Sequence, residues 1–111
     1  MGTFSLPNDG VWLIQFDCKL NLNTGGDTIE NREIVLSETS ASLTKCAPGF
    51  HFRDPIDDAT GSANPRQTYS FSGVYHNTSG GAKALYINVI ASTAGSRTVT
   101  ASGDYKYTRL A

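Results

Sequence analysis

The segment from Val11 to Leu22 constrains the fold more than any other part of the chain. Its apolar positions are Trp12, Ile14, Phe16, Cys18, Leu20 and Leu22, and they alternate with Leu13, Gln15, Asp17, Lys19 and Asn21. Successive side chains of a strand point to opposite faces, so this pattern predicts a long strand with one buried face and one face toward water. Leu13 is an apolar residue on the polar face, and we expect it to lie under a loop or to meet another subunit.

The size and composition of the chain favour a single all-β domain over residues 1–111. A chain of 111 residues with 39% apolar content is large enough for one core and too small for two. Charged residues make up only 17%, and 11 glycines accompany many Ser, Thr and Asn residues. This balance is typical of β-proteins with many tight turns.

Charge and hydropathy argue against two classes of partner. The formal net charge is −1 at pH 7, so we expect no nucleic-acid binding driven by counterion release. No apolar run approaches the roughly 18 to 20 residues that span a bilayer, so we expect no membrane insertion.

The two cysteines leave two interpretations open. A disulfide between Cys18 and Cys46 would contribute roughly 3 kcal/mol in the chain-entropy model. The favoured interpretation is that Cys18 is a small buried hydrophobe on the apolar face of its strand. No CxxC motif or nearby His pair completes a zinc site, and we expect neither a metal nor another cofactor.

Alternation elsewhere predicts further strands and no helix. The predicted strands cover residues 3–6, 32–37, 68–76, 85–90 and 98–108, in addition to 11–22. A turn at residues 7–10 joins the first two tightly, and the strands at 68–76 and 85–90 are predicted to form a hairpin. Residues 38–45 are expected to be extended, and 46–67 to be a long irregular segment. The arrangement favours an antiparallel β-sandwich or a barrel.

The two ends of the chain resemble a known family. The opening run from Phe4 to Ile14, with Leu6-Pro7, Gly10 and then Trp12, is similar to the start of C-terminal domains of bacteriophage tail fibres and tailspikes. The closing run 107–111 resembles the way those domains end. The resemblance implies a jelly roll related to tumour-necrosis-factor and C1q domains, a homotrimer at a fibre tip, a location in the virion, and recognition of a bacterial surface glycan or protein without catalysis.

One segment combines aromatic, basic and acidic groups outside any regular alternation. It runs Phe50, His51, Phe52, Arg53, Asp54, and we treat it as a candidate ligand-binding surface together with Tyr75 and His76 at a strand end. Aromatic faces would stack on a glycan while the charged groups form hydrogen bonds. The alternative is that both phenylalanines pin the loop to the core and that His76 is a solvated turn residue.

Tyrosines combine a large apolar area with a polar tip and therefore suit interfaces. We predict that Leu13, Tyr86, Tyr105 and Tyr107 contribute to contacts between subunits, the alternative being that the tyrosines fill the core.

The acidic residues Asp54, Asp57 and Asp58 lack the spacing of an EF-hand calcium loop. The sequon at 77–79 is interpreted as turn chemistry.

No arrangement of residues indicates an enzyme. His51 and His76 accompany no nucleophile signature such as Gly-x-Ser-x-Gly. Besides the fibre module, two functions remain open: a capsid decoration or head-fibre protein, and a monomeric carbohydrate-binding module of a hydrolase.

Overall fold

The chain forms two antiparallel sheets in a computed structural model that describes residues 2–22, 29–54, 66–93 and 99–111. Within these ranges there are strands and no helix. The strands are β1 (Gly2–Leu6), β2 (Gly10–Leu22), β3 (Ile29–Ser37), β4 (His51–Asp54), β5 (Arg66–Asn77), β6 (Lys83–Thr93), β7 (Val99–Ser102) and β8 (Tyr105–Arg109). The prediction of an all-β fold is confirmed.

The strands divide between sheet A and sheet B. Sheet A has the order β1-β6-β3-β4. In sheet B, β2 pairs along one side with β5 and along the other side with β7 and β8 in turn. The strand predicted from the Trp12 alternation is therefore the centre of sheet B.

The predicted final strand is interrupted once. Residues 103–104 separate β7 from β8, but the register against β2 does not shift, since Lys19 is opposite Ser102 and Phe16 is opposite Tyr105. The backbone N–H of Asp17 donates to the carbonyl of Asp104 at 2.9 Å. The alternation of faces therefore continues through the break.

Aromatic side chains join the two sheets. Phe4 of sheet A stacks on Tyr105 of sheet B with ring centroids 4.6 Å apart, and Phe52 of sheet A lies 4.5 Å from Tyr69 of sheet B. The buried apolar residues between them are Phe4, Leu6, Trp12, Ile14, Phe16, Cys18, Leu20, Ile34, Leu36, Phe50, Tyr75, Leu85 and Ile87. Face-to-face packing around one core is consistent with a β-sandwich.

The predicted hairpin of residues 68–76 and 85–90 is wrong. These residues belong to β5 in sheet B and β6 in sheet A, which do not pair. Asn77 is fully buried at the corner, where its amide donates to the carbonyls of Asn8 and Gly81, both at 2.8 Å. These bonds tie the turn after β5 to the turn before β2, so the chain crosses between the sheets at this point.

The segment after β3 folds back and is not extended as predicted. It bends at residues 38–41, where Ala41 has a φ of 60°. The N–H of Cys46 then donates to the carbonyl of Leu36 at 2.8 Å, and the N–H of Leu36 donates to the carbonyl of Phe50 at 3.0 Å. The predicted irregular segment 46–67 therefore contains β4, and its residues 55–65 lie outside the described residues.

Candidate functional site

Two of the predicted ligand-binding residues meet on the outer face of sheet A. His51 Nε2 lies 3.1 Å from Glu33 Oε2, and Arg53 Nε lies 3.5 Å from Glu33 Oε1. Glu33 stands between them because β3 pairs with β4 in this register. Its side chain is only 12% exposed, whereas that of Arg53 is 60% exposed. The two basic groups are thus held by a carboxylate that the sequence did not indicate.

Three other members of the predicted set lie between the sheets. Phe50 has no exposed surface, Phe52 is half-buried and Tyr75 is 6% exposed. Strand alternation explains the separation, since Phe52 faces inward and His51 and Arg53 face outward. Both phenylalanines therefore pin this segment to the core, as the alternative interpretation of the sequence stated.

The remaining predicted ligand residues are placed elsewhere. The backbone of Asp54 pairs with Arg32 at the end of β4. His76 is exposed on the outer face of sheet B, opposite Val11. The predicted set therefore does not form one surface, and Asp57 and Asp58 lie outside the described residues.

The predicted subunit-contact residues also separate. Leu13 lies on the outer face of sheet B, and Tyr86 lies on the outer face of sheet A. Tyr105 and Tyr107 lie on the inner face, where both stack on Phe4. Tyr107 is half-buried, whereas Tyr105 keeps 50% of its surface exposed at the margin of the core.

Leu13 belongs to an exposed apolar patch that we name the outer patch. It comprises Val11, Leu13, Val74 and Leu110. Val74 is the cross-strand neighbour of Leu13, and the N–H of Leu110 donates to the carbonyl of Val11 at 2.7 Å. Val74 is 48% exposed and Leu110 is 55% exposed. Exposed apolar side chains grouped on a sheet face, bordered here by His76 and Thr108, are a feature of interaction sites.

A polar, partly open pocket of about 370 Å³ is lined by residues between positions 37 and 46. Its hydroxyl-bearing lining residues are Ser37, Thr39, Ser42 and Thr44. Glu38, Lys45 and Cys46 complete the lining. This pocket, which we name the loop pocket, brings together one carboxylate, one ammonium group and several hydroxyls.

Hydrogen bonds from outside and inside the loop fix the shape of the loop pocket. The Asn88 amide donates to the carbonyls of Thr39 and Ser42 at 3.0 and 2.8 Å. Within the loop, the N–H of Thr39 donates to Ser37 Oγ, and the N–H of Thr44 donates to Ser42 Oγ. The pocket is therefore formed before any ligand arrives.

Glu38 connects the loop pocket to the core. The Tyr75 hydroxyl donates to Glu38 Oε1 at 2.8 Å, and Lys83 Nζ lies 3.7 Å from Oε2. Burial, and then the bond to Glu38, raise the pKa of Tyr75 well above its ordinary value. Burial, with a smaller contribution from Glu38, raises the pKa of the Cys46 thiol to about 12. Cys46 is therefore protonated near neutral pH and is a poor nucleophile.

Several sequence hypotheses concern features other than these surfaces. The Asn77 Oδ1 accepts the N–H of Ser79 at 3.1 Å, which confirms turn chemistry for the sequon. Cys18 and Cys46 are not joined in a disulfide. In the described part of the chain, no group of three or more His, Cys, Asp or Glu side chains is placed to hold a metal ion. Nor does that part contain a helix long and apolar enough to cross a membrane.

Comparison of the chain with known protein families, characterised proteins and solved structures gives no match. The loop pocket is the site that sequence reasoning missed. Its one signal is the run of Ser and Thr between Ser37 and Lys45, which lacks the alternation of a strand. From the sequence, residues 38–45 were expected to be extended, so this signal did not reveal that they form a loop lining a cavity.

Proposed function

We propose that this chain is a structural module of a phage virion that assembles as a homotrimer and binds a glycan or protein on the surface of the host. In this proposal it is the receptor-binding end of a tail fibre or tailspike, folded as a jelly roll. It has no catalytic role. The resemblance of the chain ends suggests this function, and two features of the structure support it.

The first feature is that the two segments carrying the resemblance lie together. The Tyr107 ring is 5.7 Å from that of Phe4 and 5.7 Å from that of Trp12. The N–H of Val11 donates to the carbonyl of Ala111 at 3.0 Å. Both sequence motifs therefore contribute to one packed end of the molecule, as parts of a single structural unit.

The second feature is the outer patch, which is the observation that carries the proposal. Val74 and Leu110 keep about half of their surface exposed beside Leu13, and grouping apolar side chains in this way favours their burial in an interface. Obligate assemblies bury more than about 2,000 Å² of mostly apolar surface. We propose that the outer patch lies within the contact between subunits.

Light scattering of the wild-type chain and two lysine variants tests this assignment. Val74→Lys places a charge in the outer patch, and burying it without a partner is unfavourable. Thr68→Lys is the matched control, because Thr68 is exposed on the same face of β5 near its other end. We expect the wild type and Thr68→Lys to have a mass near three times 11.9 kDa and Val74→Lys to be smaller.

Other outcomes reject parts of the proposal. A monomeric wild type rules out the fibre-tip assembly and favours an isolated binding module. A trimer that Val74→Lys leaves intact, with a native circular dichroism spectrum, keeps the assembly and removes the outer patch from its interface.

A further inference from the structure

The geometry points to the loop pocket as a binding site for one neutral sugar ring of a surface glycan. This inference rests on the proposed function, because it names the part of the chain that contacts the host. It involves residues 37–46, none of which belongs to the predicted ligand set.

The size and order of the loop pocket suit a small ligand. A volume of about 370 Å³ lies within the range of roughly 300 to 1,000 Å³ for small-molecule sites. The two bonds from Asn88 hold the loop over sheet A, and the chain bends at Ala41 between the two bonded carbonyls. Because the loop is already ordered, binding costs little conformational entropy.

The lining favours a polyol over a charged ligand. Each hydroxyl of Ser and Thr both donates and accepts hydrogen bonds, as sugar hydroxyls do. Glu38 supplies an acceptor and Lys45 a donor, and the Glu38 carboxylate is paired with Lys83 Nζ at 3.7 Å. A phosphate or other anion would meet the Glu38 carboxylate, whereas a neutral ring bonds to both groups.

An aromatic side chain stands next to the loop pocket. Tyr86 is the cross-strand neighbour of Ser37, and both point to the outer face of sheet A. Tyr86 is half-buried, so part of its surface remains accessible. Tyrosine presents an apolar face with a polar tip, which complements the mixed surface of a sugar ring.

Amide NMR spectra of the isotope-labelled chain test the inference. The probes are the methyl glycosides of glucose, galactose and mannose, N-acetylglucosamine, and inorganic phosphate, each added separately. We expect at least one sugar to shift amide signals of residues 37–46 in a saturable way, with the millimolar affinity usual for a ligand of this size. We expect phosphate to cause no such shifts.

A double variant locates the sugar within the loop pocket. Thr39→Val with Thr44→Val removes two lining hydroxyls and keeps the loop hydrogen bonds, which use the backbone groups of these residues. Losing two hydrogen bonds to the ligand should weaken binding about tenfold. Thr68→Val, at an exposed position in sheet B opposite Lys19, is the matched control and should bind as the wild type does. If the double variant loses its native spectrum, each single variant provides the same comparison.

The possible results separate this inference from the proposed assembly. Absence of shifts with every sugar, shifts with phosphate alone, or equal binding by the double variant would overturn the sugar site, whatever the oligomeric state. Conversely, sugar binding by a monomeric chain would support the loop pocket while rejecting the trimer.

Discussion

Gly73 lies on the inner face of β5, where the ring of Phe50 fills the space that a side chain would occupy. A Cβ at Gly73 would be 2.6 Å from Phe50 Cζ and 2.9 Å from Cε2. Carbon atoms pack best about 3.5 to 4.0 Å apart, so Gly73→Ala forces the ring or the strand to move. Phe50 is fully buried against the core and has little room to do so.

The expected cost follows from the size of this overlap. One extra methyl group in a packed core destabilises by about 1–3 kcal/mol, of which the lower backbone entropy of unfolded alanine offsets about 0.5 kcal/mol. We expect urea denaturation to show a free energy of unfolding lower by about 1–2 kcal/mol for Gly73→Ala. Gly2→Ala is the control, since Gly2 is also in a strand and has no atom within 4 Å of the added Cβ.

A double-mutant cycle tests whether Phe50 is the cause. Phe50→Leu removes the ring atoms in contact with Gly73, so Gly73→Ala should cost much less in that background, with a coupling of about 1 kcal/mol. The reasoning is refuted if Gly73→Ala matches Gly2→Ala in stability, or if its cost is the same with Leu at position 50.

Three further predictions concern buried polar groups. Asn77→Ala leaves two corner carbonyls without their donor and should lower the free energy of unfolding by about 2–3 kcal/mol in thermal denaturation, and a loss below about 0.5 kcal/mol would contradict its role. Tyr75→Phe removes the hydrogen bond to Glu38 and should lower the free energy of unfolding by about 1 kcal/mol. Glu38→Gln keeps a carbonyl acceptor for the Tyr75 hydroxyl, so Tyr75→Phe should cost a similar amount in that background. Burial raises the pKa values of Cys18 and Cys46 from 9.0 to about 11 and about 12, so above pH 9 the unfolded chain loses protons that the folded chain keeps. Stability should therefore be intact below pH 9 and fall as the pH rises toward 11. Urea midpoints should fall more steeply with pH for the wild type than for a Cys18→Ala, Cys46→Ala double variant. Equal slopes would contradict burial of the thiols.

Alternation along single strands predicted the buried faces well. In β2, the residues from Trp12 to Leu20 that were expected to face inward are all buried. The inward faces of β1 and β6 were also predicted, through Phe4 and Leu85. Side-chain period is a local property of the backbone, so the sequence carries it directly.

The pairing of strands and the contacts between residues distant in the chain were not predicted, for a physical reason. Alternation shows which residues share a face, but not which sheet receives the strand. The crossing between β5 and β6 depends on the bonds from Asn77 to Asn8, a residue 69 positions away. The same limit applies to Glu33, whose position between His51 and Arg53 follows from β3–β4 pairing.

The loop pocket could not be predicted from the sequence for a different reason. The bend at Ala41 has a positive φ, which alanine seldom adopts. Glycine or asparagine at this position would have indicated such a bend, but the residue is alanine. Asn88 fixes the bend from another strand. The Ser and Thr residues of this loop therefore showed only that regular alternation stops.

The most direct test of the central proposal is native mass spectrometry of the wild-type chain mixed with a copy carrying a small mass tag, after unfolding and refolding together. A homotrimer predicts a mass near three times 11.9 kDa for the untagged assembly, together with two mixed species between the fully untagged and fully tagged assemblies. Only the two monomer masses, 11.9 kDa and that of the tagged copy, with no mixed assemblies, would contradict it.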